Sequence, residues 1–270
     1  MTARDLDRGT LWSTKTNAEG IYALPRIPPG RYEIRVTAPG FRAAVHPSLQ
    51  PEINQRARLD IRLEWSSLTE SVEVRAEAAL LQTDTTQVGA VIGPVTNVNL
   101  PLNARNFVRL TLLVPGATTV NPASFSSGRR TTGGGRPYVH GNRAEAYNFM
   151  LDGVDNNHAT SNMVAYQPSV DAIQEFKMIT NNAPAEFGNF QGAVINVTIK
   201  SGTNDLHGTI FEFIRNDKLN ANSWARNWQG AKKRAIRHNV FGGTVGGPIR
   251  RDRLFFFADY EGVRRAEPGA

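Results

Sequence analysis

The fold is decided by three stretches late in the chain: 206–215 (LHGTIFEFIR), 239–247 (NVFGGTVGG) and 254–260 (LFFFADY). Their side chains alternate between two faces, as they do along a β-strand. Their lengths suit tilted strands that cross a membrane within a β-barrel. The connection 216–235 is long and rich in Asn, Trp and basic residues, whereas 248–253 is short. Outer loops and periplasmic turns alternate in this way in transmembrane barrels, so we predict antiparallel barrel strands from residue 205 onward.

The same alternation assigns the aromatic side chains of these strands to faces. Phe211 and Phe213 share one face of their strand. In the last stretch, Phe255 and Phe257 lie on one face. The opposite face carries Leu254, Phe256, Ala258 and Tyr260.

Residues 20–64 have the pattern of short antiparallel strands with one buried face. Apolar and charged residues alternate in Arg31–Ala38 and again in Arg58–Glu64. Pro28-Pro29-Gly30 and Pro39-Gly40 provide turns. The pattern predicts a β-sandwich whose first strand is missing.

Residues 79–200 mix helical and strand patterns, which indicates an α+β unit. A helix is predicted over Asn103–Leu113, with Asn103 as its N-cap and Pro115-Gly116 at its end. Residues 121–136, rich in Ser, Gly, Arg and Thr, predict a mobile loop. The remaining predicted elements are a helical turn over Val170–Ile173 capped by Ser169, and strands over Phe149–Val154, Glu175–Thr180 and Ala193–Lys200.

Composition excludes several kinds of site. The 270 residues contain no Cys, so disulfides, zinc–thiolate sites and a cysteine nucleophile are excluded. The five His form no HExxH or HxxxH motif, and no GxSxG motif occurs. We therefore expect no catalytic residue, no metal and no cofactor. No run approaches 18 consecutive apolar residues, so no transmembrane helix is predicted.

The chain is basic, with 31 Lys and Arg against 24 Asp and Glu and a net charge of +7. The basic clusters are Arg129-Arg130, Lys232-Lys233-Arg234 and Arg250-Arg251. They lie in three separate loops with no recognition fold between them, so we expect no nucleic-acid partner. These basic clusters are explained better as charged loops near a membrane, with Trp224 and Trp228 as interface anchors, than as a nucleic-acid-binding surface.

Several motifs, taken in chain order, resemble known families. Residues 20–22 (GIY), 28–32 (PPGRY) and 38–41 (APGF) resemble the carboxypeptidase regulatory-like, transthyretin-like β-sandwich. The stretches similar to the plug of Oar-like TonB-dependent outer-membrane receptors are 100–107 (LPLNARNF), 149–157 (FMLDGVDNN), 170–177 (VDAIQEFK) and 192–202 (GAVINVTIKSG). Residues 241–249 (FGGTVGGPI) and 255–262 (FFFADYEG) resemble the opening barrel strands of that family.

The resemblance implies a mainly β protein with an α+β plug between an N-terminal transthyretin-like β-sandwich and an incomplete antiparallel transmembrane β-barrel. The expected boundaries are 1–65 for the sandwich, 66–204 for the plug and 205–270 for the barrel strands. The implied location is the outer membrane, with the sandwich in the periplasm. The implied partners are TonB, outer-membrane lipid and an imported substrate, either a carbohydrate or a peptide. Import of this kind needs no covalent chemistry.

A receptor of this kind pairs a periplasmic segment, the TonB box, with TonB through main-chain hydrogen bonds. The extended segment between sandwich and plug is the candidate: Glu70, Ser71, Val72, Glu73, Val74, Arg75 and Ala76. The alternative is that this segment is an ordinary edge strand of the sandwich or the plug. The ligand-binding residues remain unassigned at this stage.

Two further expectations follow from the sequence. A plugged receptor barrel of 22 strands needs roughly 220 residues in strands, and 65 residues follow position 205. We therefore expect the chain to be an internal part of a longer gene product. The alternative function is a surface adhesion or carbohydrate-binding β-sandwich protein, in which exposed Trp224, Trp228 and Tyr166 stack on sugar rings.

Overall fold

The computed structural model describes residues 1–25, 27–53, 55–65, 74–75, 86–120 and 136–266, with the main chain alone for 74–75. The described part is mostly β, as the sequence predicted, and contains three larger sheets and one two-stranded sheet. Within these residues, no helix is both long and apolar enough to cross a membrane. Most of the loop predicted over 121–136 lies outside the described residues, as does the linker-like stretch 66–69.

The N-terminal sheet has five strands in the order β2-β1-β3-β4-β5. They are β1 (Thr2–Asp5), β2 (Leu11–Ser13), β3 (Tyr32–Val36), β4 (Ala44–Leu49) and β5 (Val74–Arg75). The alternation in β3 is confirmed, because Tyr32 and Ile34 are each 1% exposed. Two strands precede residue 20, where none was predicted, because three or four residues are too few to show a periodic pattern.

The predicted strand over Arg58–Glu64 is wrong as a hydrogen-bonded strand. Leu59 and Ile61 nevertheless pack on the cluster formed by Ala3, Tyr32 and Ile34. The alternation therefore identified the buried face correctly. It could not reveal that this extended segment lies over the sheet without joining its ladder.

The central sheet has the strand order β10-β9-β12-β11-β6. Its strands are β6 (Val88–Ile92), β9 (Tyr147–Leu151), β10 (Val154–Asp155), β11 (Ile173–Asn181) and β12 (Ala193–Ile199). Strands β9 and β12 are parallel, and the other neighbours are antiparallel. Asp152 and Gly153 at φ +49° and +81° form the turn between β9 and β10. Most of β11 and β12 is buried, so these strands form the centre of the largest apolar core.

Short helices and a small sheet cover this core. They are helix α1 (Pro94–Asn99), the 3-10 helices Asn103–Arg105, Phe107–Leu113 and Val170–Ala172, and a sheet of β7 (Ala117–Thr118) and β8 (Tyr138–Val139). The predicted cap of the last helical turn is confirmed, because the Ser169 hydroxyl accepts a hydrogen bond from the Ala172 amide at 3.2 Å.

The continuous helix predicted over Asn103–Leu113 is wrong. Ala104 and Arg105 have φ of +58° and +48°, in the left-handed region, and divide it into two 3-10 helices. The second is capped by Asn106, whose side chain accepts from the Val108 amide at 3.0 Å. Leu102 is the N-cap of the first, so Asn103, whose main chain alone is described, is the first residue of that helix and not its cap. Asn residues at both positions make the two possible caps indistinguishable from the sequence.

The third sheet, called the long-strand sheet, is antiparallel in the order β13-β14-β15. It consists of β13 (His207–Asn216), β14 (Arg237–Arg250) and β15 (Leu254–Ala266). The 3-10 helix Asp217–Leu219 and helix α2 (Trp224–Trp228) lie in the long connection. The three predicted strands are confirmed, and β14 and β15 run several residues further than predicted because Gly, Arg and Glu residues mask their ends in the pattern.

Candidate functional site between the central sheet and its neighbours

A buried ion pair lies where the central sheet meets the long-strand sheet. The Arg105 guanidinium is paired with the Asp171 carboxylate, and each side chain is 3% exposed. The left-handed backbone at Arg105 ends the first 3-10 helix there, and Ser169 caps the turn that carries Asp171. The guanidinium carbon also lies 4.3 Å from the ring centroid of Phe213 and 5.2 Å from that of Phe211. The predicted common face of these two Phe residues is therefore the face that meets the central sheet.

A second contact of the same interface runs to β15. The Ser169 hydroxyl donates to the Asp259 carboxylate at 2.7 Å. Burial lowers the pKa of Lys200 nearby, and the carboxylates of Asp171 and Asp259 partly offset that effect. The central sheet is thus attached to one face of the long-strand sheet by charged and polar groups.

The other side of the central sheet holds the N-terminal region through a group that we call the clamp: Ile53, Glu175 and Lys177. The Ile53 amide donates to the Glu175 carboxylate at 2.7 Å, and the Lys177 ammonium donates to the Ile53 carbonyl at 3.0 Å. All three residues are at most 8% exposed. Burial raises the pKa of Glu175 and lowers the pKa of Lys177. Two charged side chains, two positions apart on β11, therefore bind the main chain of one residue.

A polar cavity lies at the N-terminal ends of the parallel strands β9 and β12. Its volume is about 490 Å³. Its lining is Arg143, Glu145, Ala146, Asn162, Asn189, Phe190 and Gln191. Glu145 is ion-paired with Arg136, and the Asn162 side chain donates to the carbonyls of Glu145 and Tyr147. The cavity is at the opposite end of β12 from the end that leads into β13, and its amide and charged groups suit a polar ligand.

Most of the TonB-box candidate, Glu70–Ala76, lies outside the described residues. Val74 and Arg75 alone have a described main chain, which pairs in parallel with Ala44 and Val45 of β4. This is the edge-strand arrangement that the sequence analysis kept as the alternative. An extended main chain at a sheet edge is also what a segment needs if it is to pair with a partner strand.

The aromatic residues singled out in the sequence are exposed. Trp224 and Trp228 are 75% and 79% exposed and stack with ring centroids 5.5 Å apart, and Tyr166 is 57% exposed. In the part of the chain that the structure describes, no group of three or more His, Asp or Glu side chains is placed to hold a metal ion.

Sequence reasoning missed the residues that make both interfaces: Arg105, Asp171, Asp259, Glu175 and Lys177. The sequence did mark the clamp, because Glu175 and Lys177 place two charged side chains at alternate positions on one face of the strand 173–180. No local signal marked Arg105 and Asp171 as partners, since 66 positions separate them in the sequence.

Comparison with known families identifies two parts of the chain. A family described as "Carboxypeptidase regulatory-like domain" matches residues 1–64, and one described as "Outer membrane beta barrel domain" matches residues 198–270. The TonB-dependent transporter Oar of Myxococcus xanthus is 26% identical over 266 residues. That match covers 91% of this chain and 23% of the transporter, so the chain spans about a quarter of its curated relative.

Solved structures of outer-membrane receptors are also similar to the chain. The siderophore receptor PirA of Acinetobacter baumannii is 19% identical with a TM-score of 0.45, over 64% of this chain and 24% of the receptor. A ferric enterobactin receptor PfeA of Pseudomonas aeruginosa is 14% identical with a TM-score of 0.46, over 68% of this chain and 26% of the receptor. The curated relative is named as a transporter. The resemblance found in the sequence is confirmed: residues 1–64 match the carboxypeptidase regulatory-like family, residues 198–270 match the outer membrane β-barrel family, and the chain is related to a TonB-dependent transporter, which supports an outer-membrane location.

Proposed function

We propose that the chain belongs to a TonB-dependent receptor that imports a substrate across the outer membrane. Residues 1–65 act as a periplasmic domain, 66–204 as the plug and 205–270 as barrel strands. The central sheet is then the plug, and the long-strand sheet is part of the barrel wall. The relationship to Oar supports this assignment.

The observation that carries the proposal is the attachment of the central sheet to one face of the long strands. Phe213 and Asp259 contact the central sheet from that face. The opposite face carries Ile210, Ile249 and Leu254, which are 96%, 65% and 53% exposed. An apolar outer face and an inner face in polar contact with a packed domain are the features of a plugged membrane barrel.

The alternative, a secreted adhesion or carbohydrate-binding protein, gives no role to that apolar outer face.

The exposed aromatic residues on which that alternative rests still bear on the class of substrate that the receptor imports. The loop 216–237 carries six Lys and Arg but one acidic residue, and it holds the stacked Trp224 and Trp228 in the open. Asn222 fixes the loop by donating to the Asn227 side chain at 2.8 Å and to the Ala231 carbonyl at 3.0 Å. A rigid aromatic pair beside cations favours a carbohydrate substrate over a peptide.

Substitution at Val72 in the full-length receptor tests TonB-driven import through Glu70–Ala76. Val72→Pro removes a main-chain donor and fixes φ, so it breaks a ladder formed with TonB. Val72→Thr keeps both the donor and the β-branch and serves as the matched control. We expect Val72→Pro to lose binding to the purified periplasmic domain of TonB, whereas Val72→Thr binds within threefold of wild type. Normal TonB binding by Val72→Pro would place the box elsewhere.

A further inference from the structure

Two contacts between the N-terminal region and the rest of the described chain differ in kind. The first is the clamp, in which Glu175 and Lys177 of the plug bind the main chain of Ile53. The second we call the rim contact: residues 7–9 against Ser201, Asn204 and Asp252. Ser201 and Asn204 follow the last strand of the plug and lie within residues 198–270, which match the barrel family, and Asp252 lies in the short turn between β14 and β15. The rim contact therefore joins the N-terminal sheet to the beginning of the barrel.

The rim contact consists of exposed polar groups. The Asn204 amide donates to the Asp7 carbonyl at 2.9 Å, and the Arg8 side chain donates to the Ser201 hydroxyl at 3.1 Å. Asn204 and Asp252 bind each other reciprocally at 2.8 and 2.9 Å. Exposed hydrogen bonds of this kind exchange readily with water, so each contributes little net free energy.

Close approach at the rim depends on Gly9. Its φ of +70° lies in the left-handed region, and a Cβ added there would lie 2.0 Å from an Asp252 carboxylate oxygen. Beside this approach, a cavity of about 430 Å³ separates the N-terminal sheet from the turn. Its lining includes Arg4, Glu33, Arg35 and Asp252. The rim is therefore a local contact next to a polar gap, without the close packing of an interior.

The clamp has the opposite character. Ile53, Glu175 and Lys177 are 6%, 7% and 8% exposed. Glu52 and Gln55 preform the turn around it, since the Glu52 amide donates to the Gln55 side chain at 2.8 Å. Separating the clamp without admitting water would leave the buried Ile53 amide and the Glu175 carboxylate without the hydrogen bond that joins them, which is among the costlier changes in a protein.

These contacts have a geometric consequence. The N-terminal sheet touches the plug at the clamp and the barrel at the rim, so it cannot keep both contacts when plug and barrel move apart. We propose that the N-terminal sheet and the plug form one body, and that this body separates from the barrel at the rim contact while the clamp stays closed. The inference rests on these contacts and is independent of whether TonB drives the receptor.

Hydrogen–deuterium exchange of the full-length protein in detergent tests this order of opening. The probes are the Asn204 amide, which donates across the rim, and the Ile53 amide, which donates within the clamp. We expect Asn204 to exchange at least tenfold faster than Ile53. Equal rates, or faster exchange at Ile53, would overturn the proposal.

A disulfide across the rim provides the second arm. The added Cβ at Gly9 would lie 3.4 Å from the Cβ of Asp252, close to the spacing of about 3.8 Å between bonded cysteines. These 270 residues contain no Cys, so within them the two cysteines of Gly9→Cys/Asp252→Cys can pair only with each other. Oxidation should slow exchange at Asn204 at least tenfold, reduction should restore it, and Ile53 should not change.

A matched pair of variants keeps the test decisive if Cys at the left-handed position 9 prevents folding. Arg8→Cys/Ser201→Cys, bridged by a short bis-maleimide, ties the same rim and should slow Asn204 exchange in the same way. Arg56→Cys/Glu186→Cys replaces an exposed ion pair of 4.0 Å between the N-terminal region and the plug. Bridging that pair should leave Asn204 exchange at the unbridged rate. If the bridge between positions 56 and 186 slows Asn204 exchange, or if the bridge between positions 8 and 201 does not, the proposal is contradicted.

Discussion

The central sheet meets its two neighbours through buried charges, but the chemical groups that it binds differ between the two contacts. Towards the long-strand sheet, Arg105 and Asp171 pair with each other and present the guanidinium to Phe211 and Phe213. Towards the N-terminal sheet, Glu175 and Lys177 bind the main chain of Ile53. A side-chain pair is lost when either partner is substituted, whereas the main-chain amide and carbonyl remain with any residue except Pro. The contact with the long-strand sheet therefore depends on the side chains of both partners, and the contact with the N-terminal sheet depends on the side chains of the central sheet alone.

The largest effect is expected from breaking the ion pair. Asp171→Ala leaves the Arg105 charge buried beside two aromatic rings, so the free energy of unfolding should fall by about 3–5 kcal/mol. Denaturant unfolding of the full-length protein in detergent measures it.

The control for this prediction replaces both partners by apolar residues. Arg105→Met/Asp171→Leu leaves no buried charge, so it should cost much less than Asp171→Ala alone. If the double variant is as unstable as the single one, the cost arises from packing around the site and not from the uncompensated charge.

The clamp should show an intermediate effect and a dependence on pH. Glu175→Ala leaves the buried Ile53 amide without its acceptor, a cost of about 1–3 kcal/mol. Glu175→Gln keeps an acceptor of the same shape and should cost less. Chemical unfolding at pH 7 distinguishes the two variants, and equal destabilisation would show that the charge, not the acceptor, matters.

The sign of the pH dependence follows from the raised pKa of Glu175. Burial raises this pKa and Glu52 adds to the rise, whereas the Ile53 amide and Lys177 oppose it. The folded protein binds the proton more readily than the unfolded chain, so the contribution of Glu175 is largest below its ordinary pKa and is lost as the pH rises through the raised value. The stability of wild type relative to Glu175→Gln should therefore increase as the pH falls from 7 towards 4. A difference that does not vary with pH would contradict this assignment.

The smallest effect compares two buried tyrosines. The Tyr32 hydroxyl in the N-terminal sheet donates to the Pro28 carbonyl at 2.6 Å, whereas the Tyr147 hydroxyl in the central sheet has no hydrogen-bond partner among the described residues. Tyr32→Phe should cost about 1 kcal/mol, and Tyr147→Phe should be neutral or slightly stabilising. Thermal unfolding of the two variants side by side checks the difference.

Both tyrosines also predict sensitivity to alkali. Burial raises the pKa of Tyr32 and of Tyr147 above the ordinary tyrosine value. The unfolded chain loses these protons above about pH 10 while the folded protein keeps them, so stability falls as the pH rises beyond that point. Each Phe variant should lose less stability than wild type between pH 9 and pH 11.

The sequence predicted β11, β12 and the three strands of the long-strand sheet because each of these strands is at least seven residues long. Strands as short as β1 and β2 carry too few residues for a period to appear. The segment 58–64 shows the converse error, since Leu59 and Ile61 alternate correctly but pack on a sheet that they do not join. Periodicity reports which side is buried, and hydrogen-bond pairing is a separate property.

The pairing of the interface residues was beyond sequence reasoning for another reason. Ile53 and Glu175 are 122 positions apart, and Ser169 and Asp259 are 90 apart. A charged residue within a strand shows its own position in the pattern but not its partner, and only the fold brings the partners together. The break in the 103–113 helix had a local cause, the left-handed Ala104 and Arg105, but neither residue type favours that conformation.

The position of β12 in the central sheet has a consequence for the order of folding. It lies between β9 and β11 and is the last strand of the sheet in the chain. Before it pairs, the β9–β10 hairpin and the β11–β6 pair are two separate fragments, each with an unpaired edge. Residues 200–206 alone separate β12 from β13. The strand that completes the central sheet and the first strand of the long-strand sheet are therefore synthesised almost together, so we expect the central sheet to become cooperative only as the long-strand sheet begins to form.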